Sequence, residues 1–370
     1  MVNKEYDLIV YGATGFTGQL ICEYLNAHKD TKEIKWAIAG RNKEKLEKIA
    51  KKYSISEIFI ADSFDMKSLD IITSKAKLII SVVGPYSIYG KDLVESCANN
   101  KCHYLDLTGE PDFVQFVEKK YTKKAKDNKV ILMNCCGFES IPPDIGTYYT
   151  IKKLKDKNAQ ITTFLKTKGK ISGGTWASFL NSFTGKKPII KGSKNNKTKK
   201  LFYSKELKKW ALTFPVIDKH IVKKSAKHLD YGDDFIFVQY VVFKSIFKIL
   251  GLVLSIMAVG FLAKFKFFRN CLRSFIPSGH GPNAEKRKKH FFELKIFAKT
   301  KNENIITTVS GGDPGYGETA KFISEMALTI ILNPDKLNCD RGVITPAQCA
   351  GDIMIERLIE SGIKINHKTS

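Results

Sequence analysis

The N-terminal part of the chain alternates short unbroken apolar runs with stretches of helical spacing. The runs fall at residues 7–11, 35–39, 58–60, 78–83, 103–106 and 130–133, and segments of helical periodicity at 20–28, 43–52, 92–99 and 112–128 lie between most of them. Continuous apolar strands separated by helices predict a doubly wound parallel sheet, the α/β class. Past Pro142 and Pro143 the pattern changes to lysine-rich sequence with strand-like pieces at 160–167, 234–242, 291–299 and 304–309. That predicts an α+β domain built on an antiparallel sheet. Residues 186–200, rich in Lys, Gly, Ser and Asn, read as a solvated loop. Helical spacing returns at 317–333 and 346–361, where Thr345 before Pro346 makes a cap with a first-turn proline and Gly362 a stop. The expected organisation is an α/β domain over 1–145, an inserted α+β domain over 146–316, and C-terminal helices over 317–370 that return to the first domain.

The first strand runs straight into Gly12-Ala13-Thr14-Gly15-Phe16-Thr17-Gly18, which opens the first helix. A glycine turn between strand and helix is the context in which this spacing carries meaning. Gly12 permits the tight turn, Gly15 lets the backbone approach a diphosphate, and Gly18 lets helix and strand pack closely. The diphosphate would rest on the free N–H groups and positive end of that helix. At the end of the second strand an NAD binder would place a carboxylate for the ribose hydroxyls, but this chain has Arg41-Asn42. A guanidinium pairs bidentately with a 2′-phosphate, and the sequence places no acid beside it, so NADP(H) is the expected cofactor. Asp62, ending the third strand, is expected near the adenine, and Val83-Gly84-Pro85, ending the fourth, near the ribose and nicotinamide.

Several segments together resemble the saccharopine dehydrogenase-like oxidoreductases, close to the bacterial trans-acting enoyl reductases. They are residues 11–18, 36–41, 83–86 with Tyr89-Gly90, 104–110, Cys135-Cys136-Gly137-Phe138 with Ser140-Ile141-Pro142 and Asp144, and Ser172-Gly173-Gly174-Thr175. Gly281-Pro282, 311–316 with Glu318-Thr319-Ala320, and Thr345-Pro346-Ala347 complete the set, in order along nearly the whole chain. The chain departs from the pattern with Glu139 in place of aspartate, with His280, and with its lysine-rich middle. The resemblance implies an NADP-type Rossmann domain, an inserted α+β domain and reduction of carbon–carbon double bonds in lipid-derived substrates. Hydride transfer asks the protein for a proton donor near the nicotinamide. The candidates on the strand-end loops are Tyr86, the preferred donor because it follows Gly84-Pro85, with Asp106, Thr108, Glu110, Ser140 and Asp144. A short-chain-dehydrogenase Tyr-x-x-x-Lys pair is matched by Tyr148/Lys152 and Tyr149/Lys153, but 14 Tyr among abundant lysine produce such pairs by chance. A protein that holds NADP without turnover is the alternative of another class.

Net charge is +24, and all of it lies in residues 151–290, since the flanking parts are nearly neutral. Within that basic region residues 249–263 form a fifteen-residue run without charge. As a helix it would be about 22 Å long, short of a hydrocarbon core near 30 Å. Lys244, Lys248, Lys264, Lys266, Arg269 and Arg273 border it, with Phe261, Phe265, Phe267 and Phe268 interleaved. This is the makeup of a segment lying in an anionic membrane interface; a buried or homodimer-forming helix is the alternative. No nucleic-acid module accompanies the lysines, so nucleic acid is not an expected partner. The eight cysteines and seven histidines make no metal-ligand spacing, so no metal is expected. The first residues lack a secretory pattern, which makes a cytoplasmic protein with reduced thiols and peripheral membrane attachment the expectation.

Overall fold

The computed structural model describes residues 4–169, 199–213, 217–275, 281–337 and 339–369, together with Trp176, Phe179, Leu180 and Phe183. Residues 172–175, most of the 186–200 loop and His280 lie outside the described residues. The first domain runs β1 (Tyr6–Tyr11), α1 (Phe16–Ala27), β2 (Trp36–Gly40), α2 (Lys43–Tyr53), β3 (Ile58–Ile60), α3 (Met66–Lys75), β4 (Ala76–Ser81), α4 (Tyr86–Tyr89), α5 (Lys91–Asn99), β5 (His103–Asp106), α6 (Pro111–Asp127) and β6 (Ile131–Met133). Its strands pair in the order β6-β5-β4-β1-β2-β3, all parallel. Because successive side chains point to opposite faces, Leu8 and Val10 enter one core and Ile9 and Tyr11 the other. Strand order reverses between β1 and β4, and a crevice opens there at the carboxyl ends of the strands.

The second domain begins with α7 (Ile141–Lys153) and β7 (Gln160–Lys168), continues through β8 (Leu201–Ser204), β9 (Lys209–Thr213), α8 (Asp218–His228) and β10 (Ile236–Phe243), and then α9 (Ile246–Ala263) and α10 (Lys266–Ser274). A short α11 (Ala284–Arg287), β11 (Phe291–Lys299) and β12 (Asn304–Gly311) follow. The sheet is mainly antiparallel, as its strand pattern predicts, with one parallel pair between β7 and β10. A parallel pair needs a long crossover, and the chain between β7 and β10, including α8, provides it. The β8–β9 hairpin is an element the sequence reading missed.

The C-terminal part runs α12 (Gly317–Leu332), β13 (Gly342–Val343), α13 (Pro346–Glu360) and β14 (Lys364–Thr369). It is more than helices. β13 extends the first sheet beside β6, and β14 pairs with β12 at the edge of the second sheet. The two helices pack between the sheets in one continuous core, where Phe322, Met326 and Met354 meet Leu8 and Ile80 of the first domain and Ile296 and Val309 of the second. α7 comes so close to the second sheet that a Cβ at Gly146 would sit 2.6 Å from Ile296 Cδ1. The polar tie across this layer is Glu325 of α12, 1% exposed. It accepts from the Tyr24 hydroxyl and from Arg357 Nε at 2.7 Å, and lies 3.1 Å from His28 Nε2. Arg357 also pairs with Asp30 at 2.9 Å, so one carboxylate fastens α1, α12 and α13 together.

Glu325→Ala removes the shared acceptor and leaves the partly buried guanidinium with Asp30 alone. It is expected to lower the free energy of unfolding by about 3 kcal/mol, the low end for a broken buried pair, measured as a urea midpoint shift. An unchanged midpoint would show that apolar packing alone joins the helices.

Candidate active site

The glycine turn has the geometry its spacing requires. Gly12 sits at φ +93, and a Cβ there would lie 2.6 Å from Val83 Cγ2. A Cβ at Gly18 would collide with the Gly12 carbonyl, so α1 rests directly on the turn. Gly15 is the N-cap of α1, without a side-chain cap and with no acid in the first turn. The N–H groups of Phe16, Thr17 and Gly18 therefore have no intrahelical acceptor and face outward with the helix dipole behind them. Ala13 is buried against Gly18, while Thr14 reaches toward Gly40 at the end of β2. This cradle fits a diphosphate. Exposed Arg41 follows β2 and can meet a 2′-phosphate, but its Nε stands 3.9 Å from Asp62 Oδ2. The sequence reading placed no acid beside Arg41; the fold brings one from the neighbouring strand end. Asn42 carries a structural duty, since its side chain accepts from Lys45 N at 2.8 Å to cap α2. Val83 packs on Gly12, and Gly84 is exposed before a cis peptide to Pro85.

Most of the candidate proton donors are held by fixed partners. The Tyr86 hydroxyl is buried, donates to the Ser81 carbonyl at 3.1 Å and accepts from Leu107 N at 3.3 Å. Burial holds its pKa well above the usual value, so Tyr86 locks β4 to β5. Asp106 is fully buried and accepts from Tyr104 Oη, Asn134 Nδ2, Thr108 N and Cys135 N at 2.9, 2.6, 3.0 and 3.0 Å. Burial pushes its carboxyl up to about 6 against those four donors. Its task is to tie the ends of β5 and β6. Glu110 accepts from Tyr86 N and Ser87 N at 2.9 and 3.0 Å, which caps the short α4. Ser140 is fully buried before α7, and its hydroxyl has no partner. Asp144 accepts from Ala347 N at 2.9 Å and ties α7 to α13, burial pushing its pKa up to about 7. The Tyr-x-x-x-Lys pairs are spent elsewhere: Lys152 pairs with Asp352 at 2.6 Å and Tyr149 with His367 at 2.9 Å.

Three features of the cleft were missed. The second domain closes over the glycine turn, with the Phe16 ring 5.0 Å edge-on to Tyr316, against Gly281, and 5.8 Å from the Arg287 guanidinium. Beside it His290 Nδ1 and Asp313 Oδ1 form a buried pair at 2.6 Å. The third is Glu139, on the loop between β6 and α7. Phe138 anchors that loop, its ring 4.9 Å from Phe292 and its N–H donating to Thr319 Oγ1 at 3.2 Å. The Glu139 side chain is exposed to the cleft, yet the protein around it displaces water from its carboxyl and raises its pKa. Near enough in the second domain to feel its charge is buried Asp218, whose Oδ2 accepts from Gln239 Nε2 at 2.5 Å. Glu139 stands among the quoted motifs and was legible as a departure; Asp218 lies in the lysine-rich stretch with no local signal.

A glycine cradle at a helix N-terminus, an exposed arginine after β2 and a second domain closed over the crevice define an NADP-binding oxidoreductase fold. The saccharopine dehydrogenase NADP-binding domain matches residues 8–133. A saccharopine dehydrogenase-like oxidoreductase of Rattus norvegicus is 30% identical, covering 98% of this chain and 97% of its own length. A lipid droplet localized protein of Caenorhabditis elegans is 27% identical over 95% of each chain. A Mycobacterium tuberculosis protein provisionally named a trans-acting enoyl reductase is 28% identical over 98% of this chain and 97% of its own. Among solved structures, saccharopine dehydrogenase of Saccharomyces cerevisiae shares the fold at a TM-score of 0.59 and 13% identity, covering 99% of this chain and 100% of that one. The chain belongs to the saccharopine dehydrogenase-like oxidoreductase family, and its first domain is the family's NADP-binding domain.

Arg41→Asp is expected to weaken NADPH binding by roughly 10- to 100-fold, the worth of charge-assisted hydrogen bonds, with much less effect on NADH. Asp62→Asn should tighten NADPH by relieving repulsion. Calorimetric titration with both nucleotides checks this, and equal loss of both would remove Arg41 from the 2′-phosphate.

Proposed function

We propose that this protein is an NADP(H)-dependent reductase of a hydrophobic, lipid-derived substrate, acting on an enoyl or related double bond at an anionic membrane surface. One arrangement carries the reading: the cofactor crevice and an uncovered apolar helix lie at the same end of the second sheet. Lys168 ends β7 opposite Phe291, which starts β11, and Phe292 lies opposite Gly311, which ends β12. From this end the chain passes into Asp313 and Tyr316 beside the glycine turn. β10 runs parallel to β7 and leaves at the same end into α9.

α9 is 18 residues long with only 17% of them buried. Phe247, Leu254, Met257 and Phe261 are 78, 64, 65 and 61% exposed, and Phe267 of α10 is 78% exposed. The buried-helix alternative does not describe this surface. Only Ile249, Gly260 and Ala263 are buried, Gly260 lying against the Phe183 ring. An uncovered apolar face this large marks an interaction surface. At about 27 Å the helix nears the hydrocarbon thickness. However, β10 before it and β11 after it belong to one sheet, so both ends return to the same side, which favours a helix lying in the interface. Exposed Lys244, Lys248, Lys264 and Lys266 flank it. Arg269 instead donates to the Ala263 carbonyl at 3.1 Å. The four lysines contribute up to about 4 kcal/mol on an anionic surface. The names of the nematode and mycobacterial relatives agree with a lipid setting and with double-bond reduction.

Sedimentation with vesicles rich in anionic lipid at low salt is expected to carry the protein down, and the exposed-face variant Phe247→Glu/Leu254→Glu/Met257→Glu to leave it in solution. Incubation with NADPH and lipid extract should oxidise the cofactor. Equal sedimentation of both proteins removes the membrane role; vesicle binding without cofactor oxidation makes the chain a membrane-bound NADP holder.

A further inference from the structure

We propose that Glu139, backed by Asp218 from the second domain, is the proton donor of the reduction. The inference rests on the reductase reading above and names the acid of that same site.

Position comes first. Glu139 follows β6, beyond the carboxyl ends of β5 and β6 and on the side of the β1/β4 reversal where the nicotinamide half of a dinucleotide falls. Its carboxylate fills the space over Gly109, where a Cβ would collide with Oε2. A side chain at position 109 would push this carboxylate aside. Of the other cleft carboxyls and hydroxyls, Tyr86 and Asp106 are spent on fixed partners, and Glu110 caps α4.

The backing group is an independent observation. Asp218 is 3% exposed, and its Oδ1 has no hydrogen-bond partner. Oδ2 is fixed by Gln239, whose own Oε1 accepts from Thr163 Oγ1 at 3.2 Å. The second sheet therefore holds Asp218 rigidly, with one oxygen left over. Burial raises its pKa well above the usual value, and the nearby charge of Glu139 raises it further. Burial raises the Glu139 carboxyl too, so both acids of this corner hold their protons to higher pH than an exposed carboxyl would. Among the described residues, Asp106, Cys136 and the Cys135 thiol also lie in this corner, the Cys135 thiol pushed up by burial and further by the charges of Asp106, Glu139 and Asp218.

The step balances. The β-carbon of the enoyl substrate accepts hydride from the reduced nicotinamide, the π pair moves to the α-carbon, and the Glu139 O–H bond breaks to give its proton there. One hydride, carrying two electrons, leaves NADPH, one proton leaves Glu139, and the carboxylate regains a proton from cleft water. The net change is enoyl plus NADPH plus a proton to saturated acyl plus NADP⁺.

The test uses the full chain, NADPH and a long-chain trans-2-enoyl N-acetylcysteamine thioester in anionic vesicles. Glu139→Gln is expected to lower kcat by about 10²- to 10⁴-fold, the range for a lost general acid, with NADPH affinity unchanged. Turnover should fall as pH rises through the acid's midpoint. The readout independent of turnover is the infrared titration of protonated carboxyl in the NADP⁺-bound protein. Asp106, Asp144 and Asp218 also hold their protons above the ordinary range, so the signal is read in the difference spectrum against Glu139→Gln: it should contain a protonated-carboxyl band persisting toward neutral pH, and that band should shift in Asp218→Asn. Gly109→Ala should shift it too, with the melting temperature little changed because only a flexible side chain must move. Retained kcat in Glu139→Gln, or a midpoint in the ordinary carboxylate range, overturns the assignment, as does loss of the proton-transfer step in His290→Asn alone. If the wild type leaves the thioester untouched while the band behaves as expected, the enoyl reading fails and Glu139 stands as the held acid. If the band is absent as well, both fail.

Discussion

The structure depends on burying α12 and α13 between two sheets. An amphipathic surface helix hides one stripe, whereas α12 is buried almost throughout from Glu318 to Ile330. A helix apolar on all sides is stable only when enclosed, so neither domain is complete without the other. Glu325 is the polar cost of that enclosure, and Tyr24, His28 and Arg357 offset it. The same enclosure fixes where the second sheet stands over the first. The loops at 281–290 and 312–316 then meet Phe16 over the glycine turn.

That closure decides the chemistry of the cleft. A buried polar group must be paired or it costs free energy, and most groups at the strand ends are paired. Tyr86, Asp106 and Asp144 each join two elements. Some buried groups are left without a partner, among them Ser81 Oγ, Asn134 Oδ1, Ser140 Oγ and one oxygen each of Asp144 and Asp218, and the Glu139 carboxyl joins them at the junction of the β6–α7 loop with the second domain. Active sites hold such unspent groups because the substrate completes them.

The sequence shows what is local. The glycine turn, Arg41, the alternation of the first domain and the Thr345 cap are all legible, because strand, turn and helix signals lie within a few residues of one another. Roles set by distant partners are not. Tyr86 reads as a donor until Leu107 and Ser81 are placed on its hydroxyl, and Arg41 reads as free of acids until β3 brings Asp62 beside it. β14 has the polar sequence Lys-Ile-Asn-His-Lys-Thr, and an edge strand with little burial shows no clean alternation. An uncharged run has no period from which to tell a buried helix from a bare one, so the exposure of α9 emerges only in three dimensions.

The located charge takes on a geometric meaning for the same reason. A basic insert could have attached the protein to a surface at any angle, but β10 leaves for α9 at the end of the sheet that borders the crevice. A membrane touching α9 therefore lies close to the mouth of the site. Under the proposed function, an apolar substrate moving from bilayer to nicotinamide would then travel a short path. A long path through water would forfeit about 0.8 kcal/mol for each methylene exposed, which for a fatty chain exceeds what a small crevice could recover. Under the proposed function, the apolar helix beside the crevice would remove that cost and give the uneven charge of the chain a reason to sit where it does.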